Sequence, residues 1–161
     1  MNTVYLETSI VGYLRQRPSS QVVMAARQLL TSKWWDTERT NYELVVSQYV
    51  LDEASGGDPI LASERMQALA GIPLLPVAPQ ITQIANEIIT RAILPPKAQV
   101  DALHIATVAH HRIQYLLTWN CKQDCPPSVM LKYLTRYLTG GPISDRRIVG
   151  EKDGRVYCMA H

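Results

Sequence analysis

The sequence predicts an α/β fold: a three-layer α/β/α sandwich with a central parallel sheet. Two patterns carry that expectation. Short, almost wholly apolar β-prone runs recur along the chain, as strands covered on both faces do, and stretches with apolar residues at helical spacing separate them. The first run, Thr3-Val4-Tyr5-Leu6, stops at Glu7-Thr8-Ser9 and gives way to Ile10-Val11-Gly12-Tyr13-Leu14, a strand turning into a helix. Ser19-Ser20 are expected to cap a second helix, running to about Trp35, whose Val22, Val23, Ala26, Leu29 and Leu30 share one face. A second strand over residues 42–46 ends at Ser47 and leads into a helix over 49–54. The segment Gly56-Gly57-Asp58-Pro59 breaks that helix, and Pro59 opens the next, carrying Ile60, Met66 and Leu69.

A third, short strand is expected at Leu74-Leu75-Pro76-Val77, followed by a helix with Ile81, Ile84, Ala85, Ile88 and Ile89 on one face. Pro95-Pro96 end it. Residues 100–109 form a further helix, and Tyr115-Leu116-Leu117-Thr118 a fourth strand. Residues 129–138 read as a helix closed by Gly140-Gly141-Pro142, whereas 143–161 show no clear period. The domain reading is therefore a folded unit over 1–140 and an irregular tail over 141–161.

Composition narrows the function classes. The chain of 161 residues is 47% apolar and 19% charged, which suits one globular domain and excludes disordered or collagen-like chains. No run approaches the roughly 18–20 apolar residues of a membrane span, and the N-terminus lacks the basic start of a secretory signal. A cytoplasmic protein without membrane contact is expected. The three cysteines, Cys121, Cys125 and Cys158, are odd in number, have no ligand-like His spacing and read as reduced thiols. Residues 1–120 hold 9 basic and 10 acidic side chains and residues 121–161 hold 7 and 4, so the body is no polycation. Contact with nucleic acid then needs a local basic patch or a metal that recruits phosphate.

The acids follow a positional rule. Ligands of parallel α/β sheets bind beyond the carboxyl ends of the strands. Glu7 follows the first strand, Asp52 and Glu53 lie one loop past the second, Asp101 opens the helix before the fourth, and Asn120 sits just after that strand. Converging carboxylates repel one another unless a cation neutralises them, and hard oxygen ligands suit Mg²⁺ or Mn²⁺. The chemistry that follows is phosphodiester hydrolysis. Each residue also has a plainer role. Glu7 and Asp101 serve equally as acids favoured at helix N-termini, and Asn120 as a turn residue. Asp52 and Glu53 are adjacent and do not share a helical face, so one faces solvent; Glu53 is the ligand choice. His104, on the face of Asp101, reads either as a buried, satisfied histidine or as support for the site. Thr8, Ser9, Ser47 and Thr118 read either as strand-end hydroxyls or as groups that orient carboxylates and metal-bound water.

These residues sit in four segments, YLETSIVGYL at 5–14, LVVSQYVLDEASGGDP at 44–59, LPPKAQVDALHIATVAHH at 94–111 and YLLTWNCK at 115–122. Together, in this order and spacing, they resemble the PIN domain family, and within it the VapC-type toxin ribonucleases of type II toxin–antitoxin systems. The resemblance implies Mg²⁺- or Mn²⁺-dependent cleavage of RNA, a homodimer, and inhibition by a small antitoxin protein. Carried over by motif, Glu7, Glu53, Asp101 and Asn120 are the catalytic positions, and Glu7, Glu53 and Asp101 hold the metal. Glu7 stands where the family usually has Asp, and Asn120 where an acid is common. Beyond Lys122 the resemblance stops; a change of reading frame near that residue would produce such an ending.

The function expected is thus a metal-dependent endoribonuclease of the toxin type. The alternative is a catalytically impaired PIN-like remnant that binds protein or RNA without cutting. A phosphatase using a nucleophilic Asp-x-Asp is disfavoured because Glu7-Thr8-Ser9 follows the first strand.

Overall fold

The computed structural model describes residues 1–120. The expected helix at 129–138, the tail at 141–161, the three cysteines and the ending after Lys122 lie outside the described residues. Strand β1 (Asn2–Leu6) runs into helix α1 (Thr8–Arg15), and α2 (Val22–Thr37) leads through a single 3₁₀ turn to β2 (Tyr42–Val45). Then follow α3 (Gln48–Ala54), α4 (Pro59–Leu69), α5 (Pro79–Thr90), α6 (Gln99–His110) and β3 (Tyr115–Leu117). The three strands are parallel, in the order β2-β1-β3, and helices flank the sheet. The α/β architecture read from the sequence is the one observed.

β1 is central because its last three residues, Val4, Tyr5 and Leu6, are covered on both faces, and neighbours on either side satisfy its backbone. It pairs with β2 from Asn2↔Tyr42 to Tyr5↔Val45 and with β3 from Val4↔Tyr115 to Leu6↔Leu117. This register brings the carboxyl ends of all three strands to one edge, where Glu7, Ser47 and Thr118 follow. The main core packs β1 and β3 against Ile10 and Val11 of α1, Trp35 of α2, Val50 and Ala54 of α3, and Leu69 of α4. A second core joins α5 to α6: Ile81, Ile84, Ala85 and Ile88 recur at helical spacing and meet Ala102, Ala106 and Ala109, whose small side chains let the helices approach closely.

Three expectations need correction. The strand at residues 74–77 shrinks to one parallel bridge, Val46↔Leu74, held by Val46 N–H to the Pro73 carbonyl (3.0 Å) and Leu75 N–H to the Val46 carbonyl (2.8 Å). Pro73 and Pro76 lack N–H groups, so the ladder does not extend on either side. Helix α2 starts after Gln21, with no side-chain cap, and Ser19 instead accepts the Gln21 N–H at 3.1 Å. Finally, α2 turns its apolar stripe outward: Val22 is 83% and Leu29 70% exposed, while Thr31 and Trp35 face the core. Polar anchoring sets that rotation. Tyr13 donates to Met24 Sδ, Arg27 donates to Tyr13, and Thr31 accepts from the Trp119 indole, all on the opposite face.

Among the described residues, no helix is long and apolar enough to cross a membrane. Replacing Ile81, 1% exposed between α5 and α6, by Ala is expected to lower unfolding stability by about 2–5 kcal/mol through lost transfer energy and a cavity. Urea titration followed by circular dichroism measures it, and a loss below about 1 kcal/mol would mean that the site collapses onto the gap or is loosely packed.

Candidate metal centre

The site starts at the end of β1. Leu6 is the last strand residue, and the N–H of Glu7 still bonds to the Leu117 carbonyl (3.0 Å), so Glu7 leaves the sheet with its backbone fixed to β3. It is the N-cap of α1, and its Oε1 accepts the N–H of Ser9 at 3.1 Å. The helix-entry role weighed for Glu7 is therefore the one its backbone position fulfils. A carboxylate caps an exposed N–H and sits in the favourable field of the helix N-terminus. Glu7 is only 7% exposed, and burying that charge requires donors. They are the Ser9 hydroxyl and the Thr118 hydroxyl (2.7 Å), both to Oε2, which leaves Oε1 turned toward His104 Nε2, 4.0 Å away.

Glu53 arrives from the last turn of α3. Its neighbour Asp52 is exposed and accepts from Gln48 (2.8 Å), so the two acids diverge as adjacent helical residues must. Oε2 of Glu53 accepts the Thr8 hydroxyl at 2.7 Å and lies 2.7 Å from His104 Nε2. Burial works against its ionisation, but the hydrogen bonds from His104 and Thr8 outweigh it and hold the carboxyl below its ordinary value of 4.5. His104 comes from α6 and is 2% exposed. One ligand atom each from Glu7, Glu53 and His104 lies within 4.8 Å of the others. Among the described residues, no Lys or Arg pairs with either carboxylate.

Asp101, one helical turn before His104, is not a member of that trio. Its Oδ1 takes the Asn120 side-chain amide, while the Asn120 N–H bonds to Thr118 Oγ1 (2.9 Å), the hydroxyl that serves Glu7. Asp101 is thus joined to Glu7 through Asn120 and Thr118. Of the hydroxyls expected around the site, Thr8 bonds to Glu53, Ser9 and Thr118 to Glu7, and Ser47 to Tyr5 (2.6 Å). His110 and His111, at the end of α6, stand away from the trio; His111 lies 2.9 Å from the Pro76 carbonyl.

Tyr5 is the participant that sequence reasoning passed over, having been read only as one member of a β-prone run. Its hydroxyl lies 2.7 Å from His104 Nδ1 and its side chain is fully buried. Burial, and after it the negative charges of Glu7 and Glu53, push its ionisation far above the usual phenol range against the opposing bond from Ser47, so it stays a neutral phenol. The available signal was a lone phenol in an aliphatic central strand, which has to find a polar partner inside the protein. A second shell of packing steadies the other side. The Trp119 N–H bonds to Ser9 Oγ (2.9 Å), its indole N–H to Thr31 Oγ1 (2.7 Å), and the Arg27 guanidinium lies 5.3 Å from its ring centre. Trp119 and Trp35 are both core residues.

The donor set fits a small divalent cation. Two carboxylates from different elements, with oxygens turned into one space and no cationic side chain between them, present the charge and hard oxygens that Mg²⁺ or Mn²⁺ takes, and an imidazole nitrogen is compatible with Mn²⁺.

The sheet and its flanking helices form a PIN-like α/β fold. The crystal structure of Mycobacterium tuberculosis VapC20, described as a sarcin-ricin loop cleaving toxin, matches at a TM-score of 0.55, covering 70% of this chain and 86% of that chain at 18% identity. That likeness concerns the fold. No family model matches the sequence. No curated protein matches it either.

Because the folded pKa of Glu53 lies below its unfolded value, ionisation of Glu53 favours the native state above about pH 4.5, and that contribution is lost as pH falls through the lower folded value. In metal-free buffer, Glu53→Gln is expected to flatten the stability-versus-pH curve below pH 4.5 relative to the parent chain. Thermal melts across that range read the difference, and parallel curves would refute the assigned partnership with His104 and Thr8.

Proposed function

We propose that this protein is a divalent-metal-dependent endoribonuclease that hydrolyses RNA phosphodiester bonds, acting in the cytoplasm as the toxin of a toxin–antitoxin pair and restrained by a small antitoxin protein. A homodimer and a nuclease domain extending to about residue 140 belong to the same reading. The observation that supports it best is the meeting of Glu7, Glu53 and His104 within 4.8 Å at the carboxyl edge of the sheet, in a fold shared with a sarcin-ricin loop cleaving toxin.

In this reading the carboxylates of Glu7 and Glu53 hold Mg²⁺ or Mn²⁺, with Asp101 contributing from α6. The bound cation supplies a lowered pKa for water and charge stabilisation on the phosphate undergoing displacement. The chain's own part is positional. Ser9 and Thr118 aim Glu7 inward, Thr8 and His104 tether Glu53 and favour its ionised form, and Asn120 orients Asp101. No serine or cysteine among the described residues stands with His104 as an activated nucleophile toward substrate; the one hydroxyl chain at that ring, Tyr5 and Ser47, is buried. Water is then the attacking group.

A full-length preparation incubated with structured RNA is expected to cleave it with Mg²⁺ or Mn²⁺ and to stop with chelator. Glu7→Gln, Glu53→Gln and Asp101→Asn are each expected to slow cleavage about 100-fold or more, the equivalent of losing several kcal/mol of charge stabilisation. Calorimetric titration with Mn²⁺ separates this from the remnant reading, which Asn120 in place of an acid favours. Equal cleavage in every condition, with no divalent binding that Glu53→Gln removes, would sink the nuclease assignment.

A further inference from the structure

The hydrogen bonds around His104 bear on what this residue does in the centre. Its Nε2 stands 2.7 Å from Glu53 Oε2, a distance at which two lone pairs repel, so a proton lies between them. That oxygen already accepts the Thr8 hydroxyl at 2.7 Å, which marks it as an acceptor and puts the shared proton on the nitrogen. A ring nitrogen carrying hydrogen has no lone pair for a cation. The opposite ring atom, Nδ1, is 2.7 Å from the Tyr5 hydroxyl, and that oxygen is 2.6 Å from Ser47 Oγ. A neutral imidazole with hydrogen on Nε2 needs a donor at Nδ1, and the phenol is one; Ser47 in turn donates to the phenol oxygen. Tyr5, Ser47 and His104 are each at most 2% exposed, so water does not compete for any of these bonds.

We infer that His104 is a positioning residue rather than a metal ligand, and that Tyr5, backed by Ser47, fixes its ring as the Nε2–H tautomer so that it holds Glu53 by one oxygen and leaves the other to the cation. The inference rests on the metal-centre reading for its purpose, but the tautomer itself does not depend on catalysis. Two strands and two helices contribute to one directional chain: Ser47 after β2, Tyr5 in β1, His104 on α6 and Glu53 on α3. The trio that geometry alone groups as ligands then resolves into two carboxylates and one donor that aims them.

The test is a long-range ¹H–¹⁵N correlation spectrum of the full-length ¹⁵N-labelled chain, taken without metal and again with saturating Mg²⁺. The expected result is a single Nε2–H pattern for His104 in both. Tyr5→Phe is expected to give a mixture of tautomers and to weaken Mg²⁺ binding roughly 10–100-fold, as loss of a ligand's supporting partner does. A bare Nε2 in the metal-free or Mg²⁺-loaded parent chain overturns the inference, as does an unchanged His104 pattern in Tyr5→Phe. Should Tyr5→Phe fail to fold, the parent spectra decide the tautomer and Ser47→Ala, which keeps the phenol, reports whether the chain's far end biases it. A Nε2–H pattern in a protein that binds no Mg²⁺ would uphold the hydrogen-bond assignment while removing the nuclease reading.

Discussion

Everything at the carboxyl edge depends on keeping the charge of Glu7 inside the protein. A carboxylate at the end of the central strand is covered from both sides by the layers that make the strand central, and an unpaired buried charge is among the costliest groups a fold holds. Here the cost is met without a cationic side chain. Three donors, the Ser9 N–H, the Ser9 hydroxyl and the Thr118 hydroxyl, solvate the carboxylate, and the N-terminus of α1 adds its field. Hydroxyls stabilise negative charge without cancelling it, so the site keeps a net demand for a cation. An arginine in the same place would have satisfied Glu7 and removed that demand.

The same bonds tie the site to the architecture. Ser9 accepts the Trp119 N–H while donating to Glu7, and the Trp119 indole is bonded to Thr31 of α2 and faces Arg27. Any shift of α2 along the sheet would move Trp119, and through Ser9 the carboxylate. This coupling also accounts for the orientation of α2: the face carrying Met24, Arg27 and Thr31 is committed to α1 and Trp119, and the apolar stripe of Val22 and Leu29 is left outside. Polar anchors of known partner thus overrode the usual tendency of an apolar stripe to turn inward.

What was legible in the sequence, and what was not, follows from the range of the forces involved. Local signals sufficed for the elements: the apolar run of β1, Pro59 at a helix start, and the isoleucine spacing of α5 all correspond to observed structure. The strand-end rule brought Glu7 and Glu53 together, and the divergence of Asp52 from Glu53 needed only helical geometry. Asp101 was placed on the right helix, yet its side chain meets Asn120, a contact between residues 19 positions apart that no local pattern encodes. The strand at 74–77 fails because Pro76 within it and Pro73 just before it lack the N–H groups that a ladder needs. Tyr5 escaped because its role is a bond to His104 across 99 residues, visible only once the register of β1 and the rotation of α6 are fixed.

The longer arm of Glu7, where an aspartate is usual in the family that the sequence resembles, makes sense in this setting. An acid at an N-cap position has to fold back to reach the N–H two residues on, and Glu7 does so to Ser9 at 3.1 Å while the same oxygen faces His104 at 4.0 Å. The extra methylene lets one carboxylate cap the helix and face the shared space at once. Glu53 solves the complementary problem. It sits at the end of a short helix with part of its side chain in solvent, where rotamer freedom would blur its position, and the bonds from Thr8 and His104 to a single oxygen remove that freedom. The two acids therefore reach a common centre by opposite means, one by burial and one by tethering. The tether has an origin deep in the sheet, in a phenol that only a fully covered central strand keeps dry.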